Sequence, residues 1–200
     1  MNVIVVTADQ RGSRAASDAV PTALERLDLG PGVLRAFDRT AGDEIQGVLG
    51  DGATLAAVLE ALLRDGRWQV GVGIDAVESP LPASTRAGRG PAFVAARTAV
   101  GRAKTLPGRV GIVGADVYRA EQAETVAMLL SGLLARRSEA GWQVADLLAA
   151  GLSHAEAGAR LGISQPAVSQ RAQAAGYVES VRAAHLLGQL ADEMLGKEPP

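Results

Sequence analysis

A short segment toward the C-terminus gathers the side-chain types that read duplex DNA. Gln165, Ser169, Gln170, Arg171 and Gln173 follow one another there, and their amide, hydroxyl and guanidinium groups suit base edges or phosphates in a major groove. Ala167, Val168 and Ala172 alternate with them at helical spacing and form the packing side. Just upstream, Ser153 and Glu156 have the Ser-x-x-Glu spacing of a capping box. Gly162 tolerates positive φ, Ser164 is placed to cap the next helix, and Pro166 falls in its first turn, where a missing N–H costs little. A second group, Ser84-Thr85-Arg86-Ala87-Gly88-Arg89-Gly90, offers amides, two arginines and the N-terminus of the following helix to an anion. The plainer reading of that stretch is a connector.

These groups must be held by regular elements. Val144, Leu147 and Leu148 predict a first helix ended by Gly151; the capping box starts a second that runs to Leu161, and Gly176 ends a third. Three short helices with this punctuation predict a small all-α helix-turn-helix domain over residues 139–195. A connecting helix over 118–138 precedes it, with Val126, Leu129, Leu130, Leu133 and Leu134 expected on its apolar stripe. Residues 1–117 read as α+β. Strands are expected at Asn2–Thr7, Val33–Arg39, Ile45–Leu49, Trp68–Ile74 and Arg109–Val113, with helices at Asp18–Leu27, Asp51–Leu63 and Pro91–Lys104. That order predicts an antiparallel or mixed sheet with helices on one face, close to the ferredoxin-like arrangement of palm-type domains.

Composition narrows the chemistry. Among 200 residues 48% are hydrophobic but only 3% aromatic, so the core must be Ala, Val and Leu at close quarters. The absence of cysteine excludes disulfides, thiolate metal sites and cysteine nucleophiles, and two histidines far apart, His154 and His185, make a structural zinc site unexpected. No segment approaches the roughly 20 apolar residues of a membrane span, so a cytoplasmic protein with no membrane partner is expected. A formal charge of −2 supplies no global attraction for polyanions. DNA contact would fall to a local set, Arg136, Arg137, Arg160, Arg171 and Arg182, sparse enough that a homodimer on a palindromic site is expected.

The run Gly151 to Arg171 closely resembles helix-turn-helix segments of bacterial regulators and sigma-factor-like domains. The resemblance implies a double-stranded DNA partner, with Arg160, Ser164, Gln165, Ser169, Gln170, Arg171 and Gln173 at the interface. A three-helix bundle serving dimerisation is the alternative. In the N-terminal part, Arg39-Thr40-Ala41-Gly42-Asp43-Glu44-Ile45 looks like the Arg-x-Gly-Gly-Asp-Glu-Phe hairpin of diguanylate cyclases. Trp68–Ile74 followed by Gly90-Pro91-Ala92-Phe93-Val94-Ala95-Ala96-Arg97 looks like the corresponding strand and helix of class III nucleotide cyclases. These likenesses imply a nucleotide at Asp9, Gly42, Asp43, Glu44, Arg86, Arg89 and Arg97, with Asp9, Asp43 and Glu44 holding Mg²⁺.

The departures bear on activity. Phe93 stands where the cyclases carry a sugar-binding asparagine, and Ala41 replaces the first Gly of the hairpin; a bulky apolar group at a polar catalytic position argues against the cyclase reaction. The N-terminal layout is most similar to the SatD-like family. Taken singly, Gly42-Asp43 is an ordinary turn, Asp9 an edge carboxylate and Arg97 a solvent-facing helix residue. The expectation is a DNA-binding transcriptional regulator with a palm-like sensory domain for a nucleotide. The alternatives are a metal-dependent nucleotidyl enzyme and a DNA-binding adaptor whose N-terminal domain is a dimerisation scaffold.

Overall fold

The β-branched run at the N-terminus forms β1 (Asn2–Gln10), the middle strand of the sheet. The structure is a computed structural model that describes residues 1–13 and 16–197. The remaining elements are α1 (Val20–Arg26), β2 (Val33–Ala41), β3 (Glu44–Leu49), α2 (Gly52–Asp65), β4 (Trp68–Ala76), α3 (Pro91–Ala103), β5 (Val110–Gly114), α4 (Val117–Leu134), α5 (Glu139–Ala149), α6 (His154–Leu161), α7 (Gln165–Ala174) and α8 (Tyr177–Met194). The architecture is α+β, with a mixed sheet in the order β2-β3-β1-β4-β5, antiparallel except for the parallel β4–β5 pair.

Residues Val3 to Ala8 are all buried because both faces of β1 are covered, which is why the strand reads as a continuous apolar run and not an alternating one. Ile4, Val6 and Ala8 face a core shared with α1, α2, α4 and α8. Val3 and Val5 face the opposite side, against Ala92, Phe93 and Ala96 of α3. Helices therefore lie on both faces, where the sequence pattern had suggested one. The cause is a set of glycines: a Cβ on Gly71 would stand 2.1 Å from the Val100 nitrogen, and one on Gly73 would stand 2.1 Å from the Ala92 carbonyl oxygen. Backbone lies nearly on backbone there. The Ala- and Gly-rich composition is the means by which α3 docks on β4 and β5.

Local signals set the helix ends. Asp51 accepts from the Thr54 N–H at 2.7 Å to start α2, and Gly66 ends it at φ 72°. The first helix is shorter than Asp18–Leu27. Asp18 bonds the Val20 N–H from outside it, and the buried Gln10 amide holds the approach through the Ser17 carbonyl and Ala19 N–H. The buried stripe of α4 is Ala120, Ala123, Ala127, Leu130 and Leu134. Leu129, expected on that stripe, is 71% exposed, because the small alanines are what let α4 approach the sheet. Glu124, also buried, accepts the Ile112 N–H at 2.8 Å and the Arg102 guanidinium at 2.8 Å, so α4 satisfies part of the edge of β5.

The sheet-side core does not stop at residue 117. It continues through α4, and after the three short helices the chain returns in α8, whose Leu187, Ala191 and Met194 join the same cluster. The crossing of α8 and α2 is close: a Cβ on Gly52 would stand 1.9 Å from the Gly188 carbonyl oxygen. Among the described residues no helix is long and apolar enough to cross a membrane.

Candidate DNA-binding face and anion cavity

Three caps organise α5, α6 and α7. Ser138 accepts from the Gly141 N–H, and Ser153 and Glu156 close a full capping box in which Glu156 accepts the Ser153 N–H at 2.8 Å. The hydrogen bonds from Ser153 pull the Glu156 carboxyl below its usual pKa. Gly162 ends α6 at φ 67°, Ile163 N–H bonds the Gly158 carbonyl at 3.0 Å, and Ser164 caps α7 through the Ala167 N–H. Only three residues, Gly162 to Ser164, separate the two helices. A Cβ on Gly158 would lie 2.8 Å from the Ile163 carbonyl oxygen, so a small residue there sets how closely the turn folds back.

Val144, Ala157, Val168 and Ala172 form a separate buried cluster inside this trio. With Val168 and Ala172 turned inward, Gln165, Ser169, Gln170 and Gln173 lie exposed on the other side of α7. Arg160 and Ser164 are exposed as well, and Arg171 is half-buried. All seven residues expected at a DNA interface thus sit on α6, its turn or α7.

Arg137, counted among the phosphate contacts, belongs elsewhere. It is 8% exposed, its Nε donates to the Ala175 carbonyl at 3.0 Å, and its Nη2 donates to Ser180 Oγ at 2.7 Å. Burial pushes its pKa down from the usual guanidinium value. Its planar head lies 4.3 Å from the Trp142 ring centroid, and Arg64 of α2 lies at the same distance while forming a two-pronged pair with Asp146 at 2.8 and 3.0 Å. This Arg64–Trp142–Arg137 stack joins the trio to α2, α4 and α8. Nothing local in the sequence announces it, since Arg64 comes from α2, far along the chain from Arg137 in the linker before α5 and Trp142 within it.

On the α3 side of the sheet, Thr40, Ala41, Glu44, Gln46, Arg86, Gly88, Arg89, Gly90, Phe93, Val94 and Arg97 line a cavity of about 530 Å³. Four of the expected nucleotide residues, Glu44, Arg86, Arg89 and Arg97, meet there. Gly42 and Asp43 instead line a separate hollow of about 340 Å³ with Gln10, Asp18 and Arg39. The hairpin turn itself is as expected: Gly42 takes φ 59° and Asp43 bonds the Gln10 N–H through its carbonyl. Gln46 was not foreseen, although it follows Glu44 by two residues and so shares its face of β3.

Of the three carboxylates expected to hold Mg²⁺, Asp43 lines the other hollow, apart from Asp9 and Glu44. Asp9 and Glu44 are cross-strand partners, but Lys104 reaches Asp9 at 3.1 Å and the Thr40 hydroxyl donates to Glu44. Lys104 thus offsets the charge of Asp9 where it faces Glu44. Among the described residues no group of three or more carboxylate or imidazole side chains is placed to hold an ion. No family model, curated protein or solved structure matches this chain.

Proposed function

We propose that the chain is a DNA-binding transcriptional regulator in which α7 enters the major groove and the sheet unit, read as a palm-type sensory domain of the SatD-like kind, takes a nucleotide. The observation that carries this reading is the division of α7: Val168 and Ala172 buried behind it, and Gln165, Ser169, Gln170 and Gln173 exposed in front. Amide side chains on such a face pair with adenine edges, while Arg171 and Arg160 suit guanine or phosphate. With so few cations the affinity of one copy is low, so two copies on half-sites one helical turn apart belong to the proposal. The rigid stack at Trp142 supports coupling, because a shift in α2 or α4 reaches the trio through it.

The test is repeated selection from random duplex DNA with the ligand-free chain, followed by fluorescence anisotropy on the enriched sequence. Gln170→Ala is expected to relax preference at one base position, with a discrimination loss of about 1–3 kcal/mol. Arg160→Ala is expected to weaken binding to all sequences and to lower the salt dependence. If no sequence is enriched, and Gln170→Ala and Arg160→Ala bind duplexes as the native chain does, the reading fails.

A further inference from the structure

We infer that the cavity between β3, the 81–90 loop and α3 binds a nucleoside di- or triphosphate through guanidinium groups alone, without a divalent ion. The inference rests on the nucleotide-sensing part of the proposal above and specifies how that site works.

Charge is the first ground. Arg86, Arg89 and Arg97 come from a 3₁₀ turn, the loop after it and α3, and all three line one cavity. None of the three guanidinium groups has a carboxylate or hydrogen-bond partner among the described residues, whereas Arg39, Arg64, Arg67, Arg102 and Arg119 are each paired with Asp or Glu. Three like charges brought to one hollow repel, and a multivalent anion is the ligand that turns that repulsion into binding. The single carboxylate there, Glu44, already receives the Thr40 hydroxyl. Guanidiniums meet phosphate oxygens in two-pronged pairs, so they supply both charge and geometry.

The second ground is shape. The cavity of about 530 Å³ falls within the range of roughly 300–1,000 Å³ usual for small-ligand sites and exceeds what a bare phosphate needs. Val94 is 67% exposed on its wall beside the Phe93 ring, an apolar surface for a base. Gln46 and Glu44 offer acceptors for sugar hydroxyls or a base amino group. The N-terminus of α3 opens at Gly90, where no side chain caps it.

The third ground is rigidity. Arg35 donates to the Pro82 carbonyl at 2.6 Å and the Leu81 carbonyl at 2.8 Å, tying the loop to β2. The Glu78 N–H bonds the Arg89 carbonyl at 3.0 Å, and Gly88 lies so close under the Phe93 ring that a Cβ there would stand 2.0 Å from it. Arg86 and Arg89 are therefore mounted on a loop that is already ordered, and Arg97 on a helix, which lowers the entropic cost of binding.

The metal-free mode follows from the acids. Asp9 is neutralised by Lys104, Glu44 is engaged, and Asp43 faces the other hollow. The experiment is isothermal titration and thermal shift of the full chain with ADP, ATP, GDP and GTP, in EDTA and again with Mg²⁺, with sulfate at matched ionic strength as the comparison. At hundred-fold saturation in EDTA, at least one nucleotide is expected to raise Tm by about 5–10 °C. Arg97→Ala is expected to weaken it tenfold or more, Arg86→Ala with Arg89→Ala to abolish it, and Arg97→Lys to fall between. These side chains are exposed, so the variants keep the native fold. Stabilisation that requires Mg²⁺, that sulfate reproduces, or that survives all of these substitutions overturns the inference, as does no stabilisation by any of the four. The DNA selection above uses no ligand, so failure here leaves it standing, and failure there leaves this titration interpretable.

Discussion

Every group that shapes the turn between α6 and α7 lies in the run Ser153 to Val168: a capping box, Gly158 under Ile163, Gly162 at positive φ and the Ser164 cap. The arginine cavity is drawn instead from β2, β3, the 81–90 loop and α3, and it exists only because Gly71 and Gly73 let α3 lie flat on the sheet. The first region is specified by neighbours in sequence, the second by packing across the chain. Substitutions should therefore propagate differently. A change in the sheet contact should remove the cavity, while a change in the turn should alter only the trio.

The largest effect is expected at Gly71. Valine there must push its Cβ against the Val100 nitrogen and the Ala96 carbonyl, and α3 has to lift, so a loss of about 3 kcal/mol or more is expected in urea unfolding, with loss of the nucleotide-induced Tm shift. Gly101 provides the internal control. It lies on the same helix, but a Cβ there meets no atom within 4 Å among the described residues, so Gly101→Ala should stabilise by roughly 0.5–1 kcal/mol. Equal behaviour of the two variants would remove the packing explanation of the cavity.

The joint between the regions comes next. Arg137→Ala leaves the Ala175 carbonyl without its buried donor and strips one face of Trp142, and about 2–3 kcal/mol should be lost. Arg64→Ala removes the other guanidinium, but its pair with Asp146 is 37% and 49% exposed, so screening should hold the loss to about 1 kcal/mol or less. Arg137→Ala should also weaken DNA binding without touching bases. Binding of the enriched duplex by anisotropy separates this from a stability effect at temperatures well below unfolding.

What the sequence disclosed divides along the same line. Caps and stops were legible because each acts within four residues: Asp51, Gly66, Ser153, Gly162 and Ser164 all do what their types imply. The succession of strands and helices along the chain was legible as an α+β pattern, but the order of the strands in the sheet and the face taken by α3 were not. The glycines that decide it sit on strands whose spatial neighbours cannot be read from sequence distance. The same holds for Arg137, a cation in an apparently exposed linker that turns out to be buried because Trp142 and Ser180 arrive from later helices. Asp9 was expected with the hairpin acids, and it does face Glu44 across the sheet, but its pairing with Lys104 was not legible.

Within the turn itself, Ser164→Ala should cost about 1 kcal/mol by leaving the Ala167 N–H without its cap, and the nucleotide shift should be unchanged. The smallest effect is a pH dependence confined to α6. The Ser153 hydroxyl and N–H hold the Glu156 carboxyl below its usual value, so the charged form binds more strongly in the folded chain than in the unfolded one. Its contribution is therefore fully present above the ordinary glutamate pKa and is lost as pH falls through the lowered folded value. Glu156→Gln keeps an oxygen for the Ser153 N–H but carries no charge. Amide hydrogen exchange across 154–161 should be slower in the native chain than in Glu156→Gln near neutral pH, after correction for intrinsic rates, and the difference should close in acid. A difference that persists well below the carboxylate range would show that shape, and not charge, makes this capping box.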